Sequence, residues 1–146
     1  MVTRTETTNT LNSLLRGEIS AVETYQQAEE KFNGESEADS LRTLRREHEQ
    51  AAQQLRQHIN IKGGDASDGS GTWGTFAQLV EGGAKLFGKT AALKALKEGE
   101  EHGINSYDSA LSDDGLPIEC QRLIRDSLLP RCRDHVQTLK RLMAQQ

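Results

Sequence analysis

The chain has two prolines, one tryptophan, two cysteines and no apolar run long enough to cross a membrane. Aromatics reach only 4% of its 146 residues. So few prolines and so few β-branched and aromatic residues argue against a sheet, and the abundance of Leu, Ala, Gln, Glu and Arg favours helices. Without a stretch of about 18 apolar residues, no membrane-spanning helix is expected. The opening MVTRTETTNT lacks a basic-then-apolar leader, which makes the cytoplasm the expected compartment. No basic stripe with interleaved aromatics exists, so nucleic acid is not an expected partner. If Cys120 and Cys132 share a helix, they stand roughly 18 Å apart, too far for a disulfide.

Hydrophobic residues make up 34% and charged residues 27%, with a net charge of −4 and both signs interleaved. Such a balance suits an elongated bundle, in which each helix buries one apolar stripe and leaves the rest solvated. A single domain over residues 1–146 is expected. A first helical pattern from about Thr8 to Phe32 carries Leu11, Leu14, Leu15, Val22 and Tyr25 at three- and four-residue steps. Asn33-Gly34 signals a turn, and a second helix with Leu41, Leu44, Leu55 and Ile59 runs to Gly63-Gly64, giving an antiparallel hairpin over 8–62. Residues 63–89 read as a long crossover, a glycine-rich loop followed by an apolar segment in which Trp73, Phe76, Leu79 and Phe87 strap onto the bundle. A second hairpin over 90–145 follows, with Pro117 opening the fourth helix and Pro130 kinking or dividing it.

The first and third helices match at an offset of 82: Leu11 with Leu93, Gly17 with Gly99, Glu18 with Glu100, and Tyr25 with Tyr107. The second and fourth match at an offset of 87: Leu41 with Leu128, His48 with His135, and Leu55 with Leu142. The apolar part of this agreement is what any bundle needs, but the Gly-Glu and Tyr identities go further and point to two pseudo-symmetric hairpins. Glu18, His48, Glu100 and His135 all fall on inward stripes near mid-helix. A lone buried carboxylate costs several kcal/mol unless it is paired, protonated or metal-bound, so four such groups at one level suggest a common site.

The segment Leu11-Asn12-Ser13-Leu14-Leu15-Arg16-Gly17-Glu18, followed by Ala21 and Tyr25, resembles the first helix of bacterioferritin-type proteins. The whole chain resembles a bacterial group of ferritin-like proteins classed as a domain of unknown function. That resemblance implies an all-α, ferritin-like four-helix bundle, with homodimers through its flat faces. It matches Glu18 and Glu100 to the terminal glutamates of di-iron bundles, and His48 and His135 to the histidines of their Glu-x-x-His motifs. The bridging glutamates of those motifs are replaced by Arg45 and Cys132, and Glu47 and Asp134, beside the histidines, point about 100° away.

The loss of both bridges disfavours ferritin-type iron oxidation. The favoured expectation is a non-catalytic binding or structural protein with a degenerate metal site and no cofactor. In it Arg45 serves as counter-ion to Glu18 or Glu100, and Tyr25 and Tyr107 complete an interior polar network. The alternative is a zinc- or iron-binding protein or oxidoreductase using Glu18, His48, Glu100 and His135, with Cys132 as a further ligand. Cysteine redox chemistry at Cys132, with a thiol pKa lowered by Arg131 or Arg133, ranks last.

Overall fold

The computed structural model describes residues 3–69, 88–113 and 115–146. Among them there are helices and no strands. α1 runs Arg4–Lys31, α2 Ser36–Ile61, α3 Lys89–Leu111, α4 Ile118–Leu123 and α5 Leu129–Ala144, with a π-helical turn, Ile124–Leu128, joining α4 to α5. α4, the π turn and α5 together form the fourth rod of a helical bundle. No described helix is long and apolar enough to cross a membrane. The expected crossover strap, with Trp73, Phe76, Leu79 and Phe87, lies outside the described residues.

α1 starts four residues before the periodicity suggests. The Thr3 side chain accepts the Glu6 N–H while the Glu6 carboxylate accepts the Thr3 N–H, a reciprocal capping box that satisfies two donors the helix end would otherwise leave open. The hairpin turn ends α1 with Gly34 at φ 85°, a left-handed conformation that suits glycine. Pro130 does divide the fourth rod, and the π turn is how. A proline cannot donate its backbone N–H, and the wider turn ahead of it absorbs the fault without ending the rod.

The apolar core comes in two parts. One contains Leu11, Leu15, Leu55, Ile59, Cys120, Ile124 and Leu128, and the other Tyr25, Phe32, Leu41, Leu93, Leu96, Leu139 and Leu142. Glu18, His48, Glu100 and His135 are themselves buried, and they occupy the level where the two parts meet.

At the end of α2 the chain passes close to α1. A Cβ at Gly64 would come within 2.7 Å of Thr8 Cγ2 and 3.2 Å of Ile59 Cγ2, so Gly64→Ala must push the hairpin apart. We expect a loss of about 1–3 kcal/mol in urea unfolding. Gly103→Ala on α3, where a Cβ meets nothing within 4 Å, is expected to gain up to about 1 kcal/mol from helix propensity.

Candidate metal centre

Each rod contributes one carboxylate or imidazole to the middle of the bundle, where a charged or ring-nitrogen side chain interrupts its apolar stripe at mid-helix. His48 lies at the centre. Its Nδ1 is 2.5 Å from Glu18 Oε2 and its Nε2 is 2.7 Å from Glu100 Oε2. His135 places Nδ1 2.9 Å from the same Glu100 oxygen, and the two imidazoles meet edge to face with centroids 4.8 Å apart. The tyrosines cross between the halves: Tyr25 of α1 donates its hydroxyl to Glu100 Oε2 at 2.5 Å, and Tyr107 of α3 donates to Glu18 Oε1.

The electrostatics follow from this geometry. Burial by itself would drive the His48 proton off, but Glu100 and Glu18 outweigh it, so the His48 pKa rises well above its ordinary 6.5 and the ring is an imidazolium donating from both nitrogens. Burial likewise penalises ionised Glu100, but the facing His48 and His135 overcome that penalty and hold its carboxyl far below the usual range. The two phenols go the other way. Burial, then the adjacent Glu100 for Tyr25 and Glu18 for Tyr107, keeps them protonated as donors.

One atom in this layer stands apart. Glu100 Oε2 accepts three hydrogen bonds, while Glu100 Oε1 is fully buried and has no full hydrogen-bond partner among the described residues, the weak Cys132 thiol being the further donor near Glu100. Such an atom in a native interior requires an explanation. Glu100 also lines a cavity of about 20 Å³ between α1 and α3, together with Glu18, His48, Tyr107, Cys132 and the glycines Gly17, Gly99 and Gly103. That is room for one water-sized occupant. His48, Glu100 and His135 present ligand atoms that all lie within 4.8 Å of one another, and this buried cluster can hold a metal ion. Glu18 adjoins it through His48.

Three expectations from the sequence need correction. Arg45 is not part of an interior network: its Nε sits 2.6 Å from Glu29 and its Nη1 2.7 Å from Glu49, at the edge of the bundle. Carboxylates within reach at the rim spare the guanidinium the desolvation that pairing with Glu18 or Glu100 would demand. The counter-charge inside is His48. Cys132 lines the cavity, but its thiol pKa is raised, by burial and then by Glu100 and Glu18, with Arg131 too weak an influence to reverse it. It is a protonated thiol, not a reactive thiolate. Glu47, set aside because it points away from His48, in fact lies 2.7 Å from His135 Nε2, across the seam between α2 and α5.

The other histidines lie elsewhere. His102 is exposed and His58 is half-buried, with its Nδ1 3.7 Å from the buried Cys120 thiol. Both cysteines are free. A larger, open depression of about 760 Å³ lies over the α1–α2 turn, where Arg42 and Arg45 are already paired with Asp39, Glu29 and Glu49.

Fold and site together define a helical bundle whose apolar core is interrupted by a buried carboxylate–imidazole layer able to take a metal. A family model described as a domain of unknown function, DUF2383, matches residues 6–113, and the chain belongs to that family. The matched stretch contains Glu18, Tyr25, His48, Glu100 and Tyr107, and ends before Cys132 and His135. No curated protein and no solved structure matched the chain.

Proposed function

We propose that this protein binds a divalent metal ion, zinc or iron, at the centre of a ferritin-like bundle, with Glu18, His48, Glu100 and His135 as the donor set. The observation that carries this reading is the buried Glu100 Oε1, which among the described residues has at most a weak thiol for a donor, on a residue that lines a cavity of water-molecule size. The donor chemistry fits as well. Two carboxylates and two imidazoles suit zinc or iron(II), and a divalent cation displacing the His48 proton would balance both carboxylates. The reading favoured by sequence alone relied on Arg45 as the interior counter-ion, and its engagement with Glu29 and Glu49 withdraws that support.

Elemental mass spectrometry of gently purified, untagged protein tests the proposal. One zinc or iron per chain is expected, retained through gel filtration and lost in His48→Ala. Protein that carries no metal and keeps none after incubation with zinc or iron(II) would refute it.

A second reading has its own observation. His48 and His135 already meet carboxylates at 2.5–2.9 Å, so the layer can stand as an ion-paired network without a cation. In that case its work is structural: it fixes the register of the four rods, since any slip would leave a charge buried and unpaired.

A further inference from the structure

The hydrogen bonds of the buried layer do not end inside the bundle. They run from Tyr107 through Glu18, His48, Glu100 and His135 to Glu47, whose side chain is 39% exposed. Glu47 immediately precedes His48 on α2 and is rotated by about 100° from it. His48 therefore faces the centre, while Glu47 faces the α2–α5 seam. From there it reaches the outer nitrogen of His135, whose inner nitrogen faces Glu100. Arg131 of α5 donates to the Glu47 backbone carbonyl at 3.4 Å, which ties the two helices together at this level.

We propose that Glu47 is the positioning residue of the site, keeping a proton on His135 Nε2 so that Nδ1, which faces Glu100, is the nitrogen that gives up its proton to bind a cation at the centre. A carboxylate can only accept a hydrogen bond, so its contact keeps Nε2 protonated and fixes the ring plane, leaving Nδ1 as the nitrogen free to exchange its proton for a cation. The arrangement is not duplicated in the other half. Asp134, which stands in the corresponding place beside His135, is exposed, and both nitrogens of His48 face buried carboxylates. His135 is thus the imidazole whose orientation is set from the surface, and Glu47 governs how tightly the centre holds its cation. The effect on affinity rests on the cation-binding reading, whereas the orientation of His135 does not.

The test pairs zinc competition against a chromophoric chelator with long-range proton–nitrogen correlation spectra of the His135 ring, for wild type, Glu47→Ala, Glu47→Gln and Glu49→Gln. Glu47→Ala is expected to weaken zinc binding by about 10–100-fold and to give a mixed tautomer at His135. Glu47→Gln, which keeps an acceptor without the charge, should restore the tautomer and most of the affinity. Glu49→Gln, which removes a carboxylate two residues along the same helix, should change neither. Unchanged affinity and tautomer in Glu47→Ala would overturn the proposal. Should wild type bind no zinc, the cation reading fails by itself, and the metal-free spectra then decide the role of Glu47. A His135 Nε2–H signal kept in wild type and Glu47→Gln but lost in Glu47→Ala sustains it, and a signal indifferent to Glu47 refutes it.

Discussion

Glu100→Ala is expected to cost about 3–5 kcal/mol of folding stability, a large part of what a domain of this size possesses. Its Oε2 is the meeting point of His48, His135 and Tyr25, so truncation strands a buried imidazolium and a buried phenol together. Glu100→Gln should lose less, because the amide oxygen still accepts, but it removes the charge that offsets His48. Replacing Glu18, His48, Glu100 and His135 together by apolar residues of similar volume is expected to be neutral or stabilising, because no charge then remains to be paired. Urea unfolding of the three variants separates the cost of breaking the layer from the value of having it. A fourfold apolar variant as unstable as Glu100→Ala would mean that the layer contributes net stability.

Chelator-treated protein should be most stable between about pH 4.5 and 6.5, the ordinary values of Glu100 and His48, and lose stability on both sides. The His48 pKa is raised in the folded state, so its contribution is complete below 6.5 and is lost as pH climbs towards the folded value. In that interval the folded chain holds a proton that the unfolded chain has released, and alkali favours unfolding. Glu100 behaves in the opposite sense: its folded value is depressed, so its contribution is complete above 4.5 and is lost as pH falls towards that value. The groups around His48 come from every neighbouring rod, Glu18 and Tyr25 from α1, Glu100 from α3 and His135 from α5, so no single carboxylate accounts for the shift. Denaturant midpoints from pH 4 to 9 check this. His48→Gln should flatten the alkaline decline, and a decline of the same slope in that variant would show that His48 is not its source.

The helices could be read in the sequence because apolar residues recur on one side of each, and the inward groups could be read because they interrupt that recurrence at matched places. Glu18 against Glu100 and His48 against His135 are polar residues where Leu or Val would serve packing better. The start of α1 was readable too, in Thr3-x-x-Glu6, a signal independent of apolar spacing. Arg45 was misjudged for a reason visible in the chain: Glu49 lies four residues on, an ordinary helical pairing distance, and a guanidinium satisfied at the rim gains nothing from entering the core. Glu47 could not be found this way. Rotation about its own helix says where it does not point, but which residue waits across the seam depends on how two rods are set side by side. The weakly partnered Glu100 Oε1 is of the same kind, since it appears only once three donors have chosen the other oxygen.

The crossing of the tyrosines bears on the symmetry of the chain. Tyr25 serves Glu100, and the residue 82 positions later serves the glutamate 82 positions earlier than Glu100. Such mutual exchange is the mark of an isologous twofold contact, in which each member offers the other what it needs itself. A single hairpin could not satisfy its own glutamate. Two copies related by a twofold could satisfy each other's, and the exchange of tyrosine and glutamate between α1 and α3 has that form.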